Sequence, residues 1–400
     1  MNKKKILVIG LLVLGFAMLA QTIFGWTLSA DDMQLVNTQV RISYGFDAHP
    51  SFHSNSSRFF HFVTRAGIRY VASDGTNREH HQFSLTRPRM ATRGNIVAVG
   101  EAERGRIIFV YDSSEHLYTV APDNPVLGFS VNGSAYLSVI TQRDDGYGIH
   151  VFNRRNIVEP LYSKRVSQGV SPMLMPVAAE VSDNGRFIAV AYLDLNVQLT
   201  TIVDFMFINQ EDAPWGTDGL FAQKSFPDEI LLGMRFMANN TVLIITDRRI
   251  NLYNTTGDEV QLAWSVELHN NLDQLAFYGD TRFAFVSGAP IGVGNSEADP
   301  VGTVNMFNLS GQTGSFELGR AATHLSMGHN AVIVGSNRYF HAVNARGESL
   351  WHHNAVHDVR DMIFLDNTDT VLIAGPNRAY VWRRQRDRVE PVEYDVTDVE

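Results

Sequence analysis

The 400-residue chain contains no cysteine. That absence excludes disulfides, thiolate nucleophiles, zinc–thiolate centres and a lipidated cysteine. A chain of this kind is held by its apolar core alone, which is compatible with export but assigns no compartment. Concentrated positive charge is also missing. The net charge is -9, and the basic residues, mostly arginines, are scattered rather than gathered in a stripe. The electrostatic footprint of a nucleic-acid binder is absent, so no nucleic-acid partner is expected. Amphipathic helical stretches are lacking between the apolar runs, which argues against alternating β-α units and a parallel sheet. After Trp26 no apolar run reaches membrane length.

The most distinctive local feature present is the N-terminus. Residues 1–5 read "MNKKK", and residues 6–26 read "ILVIGLLVLGFAMLAQTIFGW". The second stretch is long enough to cross a bilayer as a helix. Trp26 stands where an interfacial aromatic belongs, and the lysines before it place the N-terminus inside. A cleaved signal peptide fits less well, because cuts after Ala20 or Ala30 put Met18 or Leu28, neither of them small, three residues before the break. The expected organisation is a cytoplasmic stub at 1–5, a transmembrane signal anchor at 6–26, a juxtamembrane linker at 27–57 with a strand at 39–44, and one folded domain at 58–400. The expected location is the cell membrane, single-pass, with the C-terminal domain extracytoplasmic.

Beyond the linker a pattern recurs. Short apolar runs of strand length appear, among them "FFHFVT" (59–64), "IVAVGE" (96–101), "FIAVAYLD" (187–194), "VLIIT" (242–246), "AVIVGS" (331–336) and "TVLIAG" (370–375). Each is too short for a typical helix. A second, alternating strand follows and often ends in Asn or Asp with Gly three residues later, as in "INLYNTTGD" (250–258) and "FHAVNARGE" (340–348). Asn or Asp folds onto the turn backbone, and Gly supplies the positive φ. The turn position falls at Ala72, Asp112, Asn153, Asn209, Asn254, Asn308, Asn344 and Arg383, with gaps from 36 to 56 residues. Such gaps are near the blade length of propeller repeats. A four-stranded sheet cannot bury both faces alone, but radial stacking and ring closure bury them. The fold expected is all-β: a β-propeller of eight four-stranded blades, or seven if the first and last copies share a closing blade.

Tryptophans recur on the strand after the turn, at Trp264 in "LAWSVEL" and Trp351 in "LWHHN". This resembles quinoprotein-like, YVTN and WD40-type propellers, although a full set of Trp-Asp dipeptides is missing. The ordered stretches "GRIIFVYDSSEHLYTV" (105–120), "NPVLGFSVNGSAYLSVI" (124–140), "GYGIHVFNR" (146–154) and "VSDNGRFIAVAYLD" (181–194) follow a single membrane segment. In that order they resemble an uncharacterised Firmicutes family of membrane-anchored propeller proteins, known only as a domain of unknown function. The resemblance implies a propeller on a bacterial surface and transfers no activity.

Chemistry-bearing clusters are few. "LWHHNAVHD" holds His352, His353 and His357 beside Asp358, with Asp361 near. His353 and His357, four apart, would suit a metal on a helix if Asp358 joined them. The plainer reading is an outer strand followed by a loop, with neighbouring side chains facing opposite ways. His80 and His81 read the same way, and His49, His53 and His61 read as solvated. "TQRDDGYG" (141–148) lacks the spaced oxygen ligands of a calcium loop and reads as a hairpin. The glycines of 287–302 fit no phosphate loop. Trp215, in "QEDAPWGTDGLF", is a candidate contact on a binding rim. No G-x-S-x-G elbow occurs. The expected function is a non-catalytic binding or scaffolding module in the cell envelope, held by the membrane segment, needing no cofactor and facing an envelope protein or wall polymer. The alternative is a propeller enzyme, quinoprotein-like or polysaccharide-cleaving, with its site at the central channel.

Overall fold

The computed structural model describes residues 34–44, 50–54, 59–101, 105–167, 174–212, 218–256, 259–290, 302–365 and 369–385. Within them, thirty-two strands form eight four-stranded antiparallel sheets. Seven sheets are continuous in sequence: residues 51–82, 88–120, 126–167, 174–227, 231–267, 270–317 and 324–354 form blades 1 to 7. Blade 8 takes three strands, Asp361–Phe364, Thr370–Ala374 and Arg378–Gln385, and closes with Gln34–Ser43 as its outer strand. First strands of successive blades touch around most of the ring, that of blade 8 touches that of blade 1, and blades 5 and 6 are joined through one buried cluster. The ring is therefore closed around a central channel lined by the first, inner strands.

The eight-bladed expectation holds. A blade shared between the chain's two ends does form, but it is the eighth and does not reduce the number to seven. The boundary at residue 58 is corrected. Gln34–Ser43 and the inner strand of blade 1, Ser51–Ser54, lie inside the stretch expected as linker. The strand expected at 39–44 is the second half of Gln34–Ser43, whereas Ser51–Ser54 was hidden, because "SFHS" is short, polar and only weakly alternating. The expected membrane segment at 6–26 lies outside the described residues, among which no helix is long and apolar enough to cross a membrane.

Second strands carry the longest apolar runs because both of their faces are covered. Thr241–Thr246 is buried at every position, and Phe187–Asp194 at its first six. A strand pressed between two neighbouring blades has no wet face, so apolar residues run continuously. The buried side chains sort into eight clusters, one at each seam between blades. The seam of blades 1 and 2 has the smallest, built on Val63, Ile68, Val97, Val99 and Tyr111. The turn chemistry is as read: Asn344 Oδ1 accepts from the Arg346 and Glu348 amides at 2.9 and 3.0 Å, and Gly347 follows at φ 86°.

Because the strands alternate, each blade puts its first and third turns on one face and its second turn and outgoing loop on the other. We call these the lower and upper faces. Gln34 pairs with Gln385 and Ser43 with Arg378, so the chain enters the propeller on the lower face.

Candidate functional site

Charge is concentrated at the lower end of the channel. Arg93 ends the inner strand of blade 2 and is 2% exposed. It reaches across the channel. Its guanidinium contacts Asp280 of blade 6, lies 3.5 Å from Asp183 of blade 4, and donates to the Phe236 carbonyl of blade 5. Arg235, from blade 5, donates to the Gly279 carbonyl at 3.2 Å, lies 3.8 Å from Asp280, and sits 4.6 Å over the Phe277 ring. Burial, and then the charge of Arg93, pulls its pKa down to about 10. Ser130 of blade 3 donates to Glu180 of blade 4 at 2.5 Å, and burial pushes the Glu180 carboxyl above its usual range. Opposite charges drawn from blades 2, 4, 5 and 6 thus tie the lower end together.

Next to these charges lies a polar cavity of about 360 Å³, lined by His53, Thr92, Arg235, Tyr278, Ser326 and Asp361 among others. His53 Nε2 is 3.0 Å from the Gly94 carbonyl of blade 2. His61 and His81 make the same bond from blade 1 to the Ser113 and Ser114 carbonyls of blade 2, at 2.7 and 3.1 Å. Three imidazoles thus bridge the seam with the least apolar packing. The expectation that His53 and His61 are solvated is corrected: burial holds both rings below the usual imidazole range, His53 at about 4. His49 lies outside the described residues.

A separate cleft of about 500 Å³ opens on the upper face between blades 7 and 8. One wall is the third strand of blade 8. Its period of two turns Ala379 and Val381 into the core against blade 1, and turns Arg378, Tyr380 and Trp382 into the cleft. The other wall ends in His353, on the outer strand Ser349–Asn354 of blade 7. The loop over both carries Val356, His357 and Asp358. The three residues considered as metal ligands, His353, His357 and Asp358, therefore line one cleft. They do not converge: among the described residues no three metal-ligating side chains do. The Asp358 carboxylate accepts from Arg338 at 2.7 Å, and the His353 ring packs 4.9 Å from that of Trp382. Burial, then the neighbouring His352, lowers the His353 pKa. Asp361 belongs to the channel instead.

Two features of this cleft were out of reach of sequence reading. The Trp382 Nε1–H is buried without an acceptor among the described residues. Among the described residues Arg378 bonds only neutral groups, Asn377 Oδ1 at 3.1 Å and Tyr380 Oη at 3.3 Å. The i, i+2, i+4 series Arg378, Tyr380, Trp382 was visible, but nothing in one sequence says that blade 7 leaves a gap beside it.

Other candidates resolve simply. The 141–148 stretch is a hairpin whose Asp145 is engaged by Arg143 and Arg165. Trp215 and residues 291–301 lie outside the described residues. Exposed apolar side chains, by contrast, sort by face. Of the twelve large ones most exposed among the described residues, eight lie on or just inside the upper face. Six of these come from adjacent blades 4 and 5: Met175, Val177, Leu195, Val197, Ile230 and Leu232.

The sequence matches, over residues 57–381, a family described as being of unknown function (DUF5711). No curated protein matches it significantly. Among solved structures, BamB from Moraxella catarrhalis is similar, with 13% identity, a TM-score of 0.51, and coverage of 90% of this chain and 99% of that one. The β-propeller domain of Cps50 (Swd1) from Myceliophteria thermophila has 10% identity and a TM-score of 0.49, with coverage of 88% and 99%. At such identities the likeness is one of fold.

Proposed function

This chain belongs to the DUF5711 family, which carries no assigned activity, and we propose that it is a non-catalytic binding or scaffolding propeller of the bacterial cell envelope. Residues 6–26 anchor it in the membrane, and its upper face receives an envelope protein. The observation that carries this reading is the sorting of exposed apolar side chains. Soluble surfaces scatter such residues singly, whereas a cluster marks a contact surface. Six of them stand together in sequence and blade order at the upper face of blades 4 and 5, on the inner strands, the second turn of blade 4 and the loop between the two blades. The lower mouth is instead tied by Arg93, Arg235 and their carboxylates.

The direction of attachment supports the same reading. The chain enters on the lower face at Gln34. An anchor at 6–26 therefore tethers the lower face and leaves the upper face directed away from the bilayer. The BamB likeness adds the fold only.

The test has two arms. Protease added to intact cells is expected to remove the propeller; a fully protected propeller rejects the envelope location. Val197→Glu with Leu232→Glu is expected to abolish co-purification of cross-linked envelope partners, while Val158→Glu on the lower face is not. Equal partner recovery with all three proteins rejects the upper face as the docking surface.

A further inference from the structure

We infer that the cleft between blades 7 and 8 is a binding site for a small carboxylate with a flat apolar body, such as an aryl or indolyl acid. This goes beyond protein docking at blades 4 and 5 and rests on different residues.

The volume of about 500 Å³ is that of a small-molecule site rather than a packing defect. Its walls give the body of the ligand its character. Tyr380 and Trp382 present ring surface from one strand, and Ile373, Val356 and Val359 supply aliphatic surface. Flat apolar groups pack against such walls by area and by ring stacking. The His353 ring lines the cleft beside Trp382, tilted 59° to the indole.

The polar groups give the ligand its charge. The Trp382 Nε1–H is a buried donor with no acceptor among the described residues. A buried donor without a partner is costly and rare in a native fold, so an acceptor supplied by a ligand satisfies it. Arg378 lines the same cleft and meets no carboxylate among the described residues. Its fork matches a carboxylate in geometry and in charge. Arg338, at the rim, is already neutralised by Asp358. The lining therefore carries one uncompensated positive charge. A sugar is the poorer match, because hydroxyls all around a pyranose need many polar partners and this lining is mainly apolar.

The experiment uses the full 400-residue chain in detergent micelles. Benzoate, 4-hydroxyphenylacetate and indole-3-acetate are compared with their neutral amides by saturation-transfer NMR and by shift of the unfolding midpoint. At least one acid is expected to bind at least ~10-fold more tightly than its amide, the order of one charge-assisted contact. Arg378→Gln should erase that preference without changing the ligand-free midpoint. Trp382→Phe keeps a ring but loses the donor, and should weaken the acid several-fold while retaining the preference. Arg154→Gln, on the lower face, should change nothing. The inference is overturned if none of the acids binds, if acid and amide bind alike, or if Arg378→Gln leaves the preference intact.

Discussion

Arg93 shows how one residue can hold a ring together. A guanidinium that is 2% exposed has lost its water, and only partners from three other blades compensate it. Removing one partner of a buried ion pair costs about 3–5 kcal/mol, because the other charges stay behind unpaired. Arg93→Met should therefore destabilise the protein by that order in denaturant unfolding. Adding Asp280→Asn should recover part of the loss, since one stranded carboxylate is then neutral. His53 leads to a prediction in pH. Its folded pKa of about 4 lies below the ordinary value of 6.5, with burial as the main cause and His61 and Arg235 adding to it. The unfolded chain therefore binds a proton first as the medium is acidified. The stability owed to neutral His53 is complete above pH 6.5 and drains away as pH falls towards 4, by about 3 kcal/mol at most since the ring edge meets the channel cavity. Glu180, Asp183 and Asp361 act oppositely: their raised pKa values favour the fold as pH falls. His53→Gln keeps a donor for the Gly94 carbonyl and cannot titrate. It should flatten the loss between pH 6.5 and 4 in unfolding titrations, and an unchanged slope would show that the ring is solvated after all.

Among the elements, the second strands and the Asn-to-Gly turns were readable in the sequence, and the inner strands were not. "FIAVAYLD" and "TVLIIT" carry continuous apolar runs because they are covered on both faces. Inner strands such as Ser51–Ser54, His324–Met327 and Asp361–Phe364 are four residues long and edge a polar channel, so neither length nor period sets them apart. The cleft was hidden for a related reason. Arg378, Tyr380 and Trp382 share a strand, but the wall they face belongs to blade 7, and a seam between blades leaves no mark at fixed spacing. The turn glycines separate two costs that sequence alone merges. Gly311, at φ 126°, has nothing within 4 Å of an added Cβ, so Gly311→Ala should cost about 1 kcal/mol of backbone strain. Gly347, at φ 86°, would place a Cβ 2.0 Å from the Ser315 carbonyl oxygen of blade 6. Backbone cannot step aside as a side chain can, so Gly347→Ala should cost about 2 kcal/mol more than Gly311→Ala. Thermal unfolding of the two variants side by side checks the difference; equal losses would mean that the blades separate freely at this turn.

At the scale of the molecule, closure and orientation are set by one strand. Gln34–Ser43 completes blade 8, hides the edge of Arg378–Gln385, and fixes where the preceding chain must lie. Only seven residues, 27–33, separate the proposed anchor from Gln34. Fully extended, seven residues reach roughly 25 Å, so the proposed anchor would hold the lower face close to the bilayer. The lower face also carries the turn between the last two strands of blade 3, where Val158 is 86% and Ile157 40% exposed beside the exposed Arg154. Apolar and arginine side chains together suit a lipid headgroup region. The absence of cysteine makes this testable without background labelling. Single cysteines at Val158 and at Val197, on opposite faces, can each carry an environment-sensitive fluorophore in the full chain reconstituted into vesicles. Headgroup-attached quenchers should dim the label at position 158 severalfold more than the label at 197. Equal quenching would mean that the propeller tumbles on its tether. Stronger quenching at 197 would turn the upper face to the membrane and remove it as a surface for an envelope protein.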